Sequence, residues 1–349
     1  MYSPKYSINN KILKYIGTTE ASREVILNAP LVPAYEKKFR EEAIIRTVHH
    51  GTHIEGNELN LTEASAVLKG QPVVGHDRDI QEVINYRNVL NLLDYIGQGE
   101  VSGGLITEDV IKKIHALTVE KILPPEKCGI YRTTQVVVKN SLTGEITFRP
   151  PPAVEIPYQI EDFLNWVNKV NYDDIHPVLK AGITHYELVR IHPFVDGNGR
   201  MARSTATLVL FLENYDIKKF FSLEEHYDSD AIRYYDALKS AGSGDLTEWL
   251  EYFSEGLAIE LTRIKEKVQR LSTDLHLKEK LGGKQVFLSE RQISIMEYIQ
   301  RVGYLSNQSF QDLFPKISED TILRDLHDLM KKGIVKKEGS TKGARYILR

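Results

Sequence analysis

The stretch His192-Pro193-Phe194-Val195-Asp196-Gly197-Asn198-Gly199-Arg200, with Arg203 shortly after it, gathers an imidazole, a carboxylate, a glycine-rich turn and two guanidinium groups. Each suits chemistry at phosphorus. An imidazole that is neutral near physiological pH can accept a proton from a hydroxyl. Gly197, Asn198 and Gly199 can take backbone angles closed to most residues. Successive N–H groups in such a turn cradle an anion, and the positive end of the following helix reinforces them. Arg200 and Arg203 fall on one face of that helix at its N-terminus, where cations oppose the macrodipole and cost stability. An anion offsets that cost, and paired guanidinium groups beside a glycine turn fit a polyphosphate. Asp196, set among these cations, is a candidate Mg²⁺ ligand, because one carboxylate with phosphate oxygens and water is a normal shell for that ion. A Gly-Asn-Gly turn alone is only a turn. The whole set points to transfer of a phosphorus-centred group.

The surrounding periodicity positions these residues. Pro193 disfavours the α region for His192 and ends the preceding helix there. Pro177 suits the first turn of that helix, which runs to Ile191. Another helix follows Gly199 to about Asn214. Upstream, helices are expected over Lys37–Thr52, from Thr62 (as N-cap) to Leu68, over Asp79–Ile96 and from Thr107. The period then changes. Thr133–Lys139 and Glu145–Phe148 read as a β-hairpin with a polar turn between them, stopped by Pro150, Pro151 and Pro152. Helices resume from Ile156 and later cover Ala231–Lys239 and Leu246–Lys280, until Gly282 and Gly283 break the chain. Beyond lie helices over Ser289–Gln300, Ser306–Phe314 and Ser318–Lys332, then β-rich pieces at Ile334–Lys337 and Arg345–Leu348, the layout of a winged helix-turn-helix. The expected fold is therefore mainly α, with a hairpin beside the chemistry. The expected division is an N-terminal helical region over 1–100, a catalytic domain over 101–281 and a winged helix over 284–349.

Bulk properties exclude some functions. The 349 residues are 42% hydrophobic and 27% charged with a net charge of -3, so there is no overall pull toward nucleic acid or anionic membrane. Cys128 is the only cysteine; it cannot form an internal disulfide, and no cysteine-centred signature surrounds it. Met1–Asn10 lacks the layout of a signal peptide, and no apolar run is long enough to span a bilayer. A cytoplasmic protein is expected. His49 and His53 are spaced as a ligand pair, but no third ligand stands nearby. His185 is expected in the core.

His192–Arg200 resembles the Fic signature HPFx(D/E)GNGR at every defining position, and Arg203 falls where many members carry a second arginine. The resemblance extends over most of residues 1–280. It implies a Fic-type helical domain that adenylylates proteins, with ATP as substrate and Mg²⁺ as cofactor. His192 would be the general base and Asp196 the Mg²⁺ ligand. Gly197, Asn198 and Gly199 would form the anion hole, with Arg200 on the β-phosphate and Arg203 on the γ-phosphate. Tyr227, Tyr234 and Tyr235 lie where the family often packs aromatics around adenosine; the alternative is that they are ordinary core or surface tyrosines. The hairpin near Tyr131–Phe148 corresponds to the flap that docks the target protein as an added strand. Upstream, Glu55-Gly56 match the inhibitory motif (Ser/Thr)xxxE(Gly/Asn), while Gly51 replaces its Ser or Thr. Glu55 would then be inhibitory through Arg203; in some relatives the same glutamate assists AMP removal. The C-terminal part leaves room for DNA or for protein docking, since Glu319, Asp320, Asp325 and Asp328 oppose phosphate on the recognition helix. A homodimer is also left open. The rival function is a DNA-binding regulator whose Fic domain senses nucleotide.

Overall fold

The computed structural model describes residues 2–29, 31, 33–98, 105–139, 146–170, 174–272, 288–315, 317–339 and 344–349. The chain divides into two compact units, Met1–Glu24 with Glu42–Ile264, and Val25–Glu41 with Lys265–Arg349. The elements are mainly helical. In order they are α1 (Asn10–Asn28), α2 (Pro33–His53), α3 (Leu61–Leu68), α4 (Asp77–Gly97), α5 (Glu108–Thr118), β1 (Val138–Lys139) and β2 (Ile146–Phe148). Then come α6 (Ile156–Lys169), α7 (Pro177–Ile191), α8 (Asn198–Leu212), α9 (Leu223–Ser229), α10 (Ala231–Ser240) and α11 (Thr247–Ser272). The last are α12 (Glu290–Val302), β3 (Leu305–Ser306), α13 (Phe310–Leu313), α14 (Glu319–Lys331), β4 (Val335–Glu338) and β5 (Arg345–Leu348).

In the larger unit α7 and α8 pack along each other, with α4 and α5 against α8 and α6 against α7. Nearly all of α7 is buried, including Ile183, Leu188 and Ile191, and α8 buries Met201, Leu208 and Leu210. A helix buried on nearly every side belongs at the centre of a bundle. The segment between α7 and α8 is thus held at both ends by the best-packed pair in the unit. Local signals explain the starts. Pro177 stands at the first turn of α7, and the Thr107 side chain accepts the Val110 N–H at the start of α5. Thr62 is not the cap of α3: Asn60 is, accepting from Thr62 and Glu63 while Glu63 accepts the Asn60 N–H. That reciprocal pair satisfies more orphan donors than a hydroxyl at 62 could.

The hairpin is shorter than Thr133–Lys139 implies. Val138 pairs with Phe148 and Lys139 with Ile146. Before Val138, side chains of Arg132 and Gln135 bind backbone carbonyls, leaving those residues outside the ladder. The expected turn at 140–144 and Glu145 lie outside the described residues. So do Gly282 and Gly283 and the end of the helix expected to reach Lys280.

In the smaller unit, α12–α14 surround a core of Ile295, Met296, Ile299, Phe310, Ile322, Leu326 and Leu329. Its antiparallel sheet has the order β3-β5-β4. The helix expected over Ser306–Phe314 begins later, because Leu305 and Ser306 pair with Tyr346 and Arg345. A 3₁₀ turn at Asn307–Ser309 then leads into α13. No helix among the described residues is long and apolar enough to cross a membrane.

Candidate active site

His192 closes α7 in the left-handed region, at φ 50° and ψ 59°, with its N–H donated to the Leu188 carbonyl. Pro193 does remove it from the right-handed region, but the residue turns left-handed rather than extended. Such a conformation is strained for a residue with a Cβ and persists only where neighbours fix it. Several do. Asn198 braces the loop internally: its Oδ1 accepts the Phe194 N–H at 2.9 Å and its Nδ2 donates to the Phe194 carbonyl at 2.9 Å. Gly197 takes φ 74°, and a Cβ there would lie 2.7 Å from Val119 Cγ1, so only glycine fits. Phe194 is fully buried and stacks on the His115 ring, 3.6 Å between centroids and 2° between planes. His115 accepts the Gly129 N–H on Nδ1, so Nε2 is its donor, 3.0 Å from the Asp196 carbonyl. Burial lowers the His115 pKa to about 4, keeping it neutral for this role. Sequence reading missed His115; its only signal was a place on the apolar side of a helix.

Arg132 was missed as well. Its Nε donates to the His192 carbonyl at 2.8 Å, Nη1 to the Thr134 carbonyl at 3.1 Å and Nη2 to the Pro151 carbonyl at 2.7 Å. Its own N–H donates to the Pro193 carbonyl at 2.9 Å.

The charges form two groups. In the first, Arg200 Nη1 lies 3.0 Å from Glu82 Oε1 and Nη2 lies 4.0 Å from Asp196 Oδ1. Arg78 on α4 completes the ring, with Nε 3.2 Å from Glu82 and Nη2 3.4 Å from Asp196. Glu82 also accepts from Asn57 Nδ2 at 3.1 Å. The Arg200 Nη1 contact is ionic without hydrogen-bond alignment, so buried Nε and Nη1 have no hydrogen-bond acceptor. In the second group Arg203, 1% exposed in its side chain, pairs with Glu55 Oε1 at 2.9 Å and donates to the Gly51 carbonyl at 2.9 Å. A Cβ on Gly199 would strike the Glu55 carboxylate. Glu55 therefore sits over the N-terminal end of α8. Burial opposes the charge on Arg203, yet Glu55 and nearby groups hold its pKa well above the ordinary value.

Burial also lowers the His192 pKa below the usual imidazole value, and the Arg132 charge adds to this. The Val189 carbonyl, 3.3 Å from Nδ1, and the charges of Glu55 and Asp196 pull the other way without reversing it. With Nδ1 protonated toward Val189, Nε2 carries the lone pair.

Two of the three tyrosines expected at adenosine are core residues here. Tyr227 and Tyr234 are 2% and 1% exposed, packed 4.9 Å apart beside His185, whose Nε2 meets the Tyr234 hydroxyl at 2.9 Å. Their rings are enclosed by Trp249 and Tyr252. Tyr235 instead presents a half-exposed ring. The histidines at the end of α2 converge on one carboxylate: His50 Nδ1 and His53 Nδ1 lie 2.7 and 2.8 Å from Asp228. Among the described residues no group of three or more His, Cys, Asp or Glu forms a metal cage. Asp196 is a 43% exposed carboxylate with Oδ1 on the Gly197 N–H and Oδ2 3.4 Å from Arg78.

Residues 105–210 match the sequence model of the Fic/DOC family. The chain is 27% identical over 237 residues to a protein adenylyltransferase Fic of Nematostella vectensis, an overlap of 67% of this chain and 51% of that protein. It is 28% identical over 225 residues to a protein adenylyltransferase Fic of Drosophila grimshawi, covering 63% and 42%. The chain thus spans about half the length of the curated relatives it matches. Its fold matches a Fic family protein from Desulfovibrio desulfuricans G20 with TM-score 0.67 and 25% identity, covering 100% of this chain and 98% of that one. It also matches Fic-1 (aa134–508) from C. elegans with TM-score 0.62 and 26% identity, covering 74% and 73%.

Proposed function

We propose, from the match of residues 105–210 to the Fic/DOC family model, that this chain is a protein adenylyltransferase, moving AMP from ATP to a Ser, Thr or Tyr hydroxyl of a target protein or of itself. The observation that carries the reading is the Arg200 guanidinium, buried at the start of the helix fed by the His192 loop, whose Nε has no hydrogen-bond acceptor and whose Nη1 meets only the Glu82 carboxylate, without hydrogen-bond alignment. Buried donors left unpaired are costly unless a ligand completes them. A phosphate does so.

In this reading His192 Nε2 takes the proton of the target hydroxyl as its oxygen bonds to the α-phosphorus of ATP. The bond from that phosphorus to the bridging oxygen breaks and pyrophosphate leaves. The amides of Gly197–Gly199 hold phosphate oxygens, Arg200 the β-phosphate and Arg203 the γ-phosphate. Asp196 fits Mg²⁺, because a single exposed carboxylate leaves positions for water and phosphate oxygens. When bound there the ion would neutralise phosphate charge. Glu55 takes the place on Arg203 that the γ-phosphate requires and so inhibits the enzyme.

The test uses labelled ATP with Mg²⁺. Glu55→Gly should raise transfer at least about tenfold, roughly 1.4 kcal/mol of barrier, and intact mass should show an added adenylyl group. His192→Ala in the same background should abolish it. No label on the protein or on lysate with either wild type or Glu55→Gly would sink the reading. Removal of AMP is a second activity to assay, since Glu55 is 29% exposed in its side chain and could orient a water.

We read the smaller unit's helices and sheet as a winged helix. Asp325 pairs with Arg291 at 2.6 Å, and Asp328 with Lys332 and Gln292. The exposed residues of α14 are then Glu319, Asp320, Arg324, His327 and Lys331, less acidic than the sequence alone implies. This favours DNA over protein docking for that face. Duplex binding that weakens with salt tests it. Selective DNA binding that shifts with ATP, without AMP transfer, would support the rival regulator reading.

A further inference from the structure

We propose that Arg132 is a positioning residue that fixes the β1–β2 hairpin and His192 relative to one another, so that a hydroxyl presented at the hairpin meets the imidazole. The proposal rests on the adenylyltransferase reading for its functional consequence, and on geometry for its substance.

Arg132 is 3% exposed and its guanidinium is met by backbone carbonyls. No carboxylate forms an ion pair with it among the described residues. Burying a cation among dipoles alone costs free energy, and burial accordingly lowers its pKa. A packed apolar side chain would stabilise the same place better. What the guanidinium provides is a rigid fork with donors in fixed directions, which an ammonium lacks. The three carbonyls it joins belong to different places in the chain. Thr134 leads into β1 and Pro151 follows β2, so two prongs close the stem of the hairpin. The third prong takes the carbonyl of His192, the strained left-handed residue itself. The Arg132 N–H holds the next carbonyl, that of Pro193. One residue therefore sets the backbone that aims the imidazole and both ends of the segment expected to hold the target. Misplacing reacting groups by about 1 Å can cost on the order of a hundredfold in rate.

The same charge has an electrostatic signature. The groups acting on His192 are the Val189 carbonyl, Glu55 and Asp196, which favour its protonated form, and Arg132, which disfavours it. Removing the Arg132 charge moves the imidazole pKa up.

The experiment compares Arg132→Gln and Arg132→Lys in the Glu55→Gly background. Both should keep ATP affinity within about twofold while the turnover of a protein target falls at least about tenfold. Arg132→Gln should shift the His192 titration, followed by NMR, to higher pH. Arg132→Lys should leave the titration near the parent's yet fail to restore turnover, because it supplies charge without the fork. Unchanged turnover in both variants overturns the proposal. Two measurements stand apart from activity. In the unmutated protein the Arg132 Nε–H should exchange with solvent far more slowly than that of exposed Arg324; equal rates overturn the proposal even if the variants fail to fold. In Arg132→Gln, amide exchange should quicken together at His192 and in residues 133–138, and an unaltered His192 would count against it. A parent that transfers no AMP defeats the adenylyltransferase reading while these two still judge Arg132.

Discussion

In the proposed reaction His192 is the general base, and a base must be unprotonated when its substrate arrives. Burial depresses the His192 pKa, so the imidazole stays neutral to lower pH than an unperturbed one with a value near 6.5. Transfer by Glu55→Gly should therefore hold a plateau through neutral pH and lose activity with a midpoint below 6.5. A pH–rate profile with its acid midpoint at or above 6.5 contradicts this. The turn after it is equally exacting. Gly197→Ala adds a Cβ at φ 74°, 2.7 Å from Val119 Cγ1, which costs about 1–3 kcal/mol of strain. It should lower the urea midpoint and weaken nucleotide binding together. Both residues were legible in the sequence, because Pro193 and the glycines dictate where a chain can turn.

The end of α2 shows an element adapted to its neighbours. Gly51 departs from the inhibitory motif, and local propensity alone would count it as a weak point. Packing accounts for it. A Cβ at Gly51 would lie 2.9 Å from Tyr86 Cζ and 3.1 Å from Glu224 Cγ. Those groups are buried and bonded to each other, Tyr86 hydroxyl to Glu224 at 2.9 Å. Gly51→Ser should cost about 1–3 kcal/mol through overpacking, more than the roughly 1 kcal/mol that replacing a helical glycine returns. Its denaturation midpoint should fall. Because the Gly51 carbonyl accepts from Arg203, the same substitution should loosen the Glu55 contact and raise AMP transfer. A more stable and equally inactive Gly51→Ser would refute that account.

Across the larger unit, ion pairs bind helices distant in sequence. Arg263 and Arg46 converge on Glu225 and Glu260, joining α2, α9 and α11. Hydrogen bonding to Arg263 is the chief cause that lowers the Glu225 pKa to about 2. A depressed carboxylate stabilises the fold above its unfolded value near 4.5 and loses that contribution as pH falls toward 2. The melting temperature of wild type should fall more steeply over that window than that of Glu225→Gln; parallel curves would show the network contributes nothing. The α11 helix was plain in the sequence, but its partners on α2 and α9 were not. Helix α9, Leu223–Ser229, is too short for periodicity to reveal.

By itself the sequence determined the mainly helical composition, the break at His192 and the set of groups clustered around one glycine turn. These follow from local rules: proline and glycine restrict the backbone where they stand, and apolar spacing marks helix faces. Tertiary structure decided which charges meet, that Tyr227 and Tyr234 are core, and that His115 and Arg132 brace the loop. Those outcomes depend on contacts between segments far apart in the chain, and no local pattern encodes which carbonyl a buried guanidinium will reach.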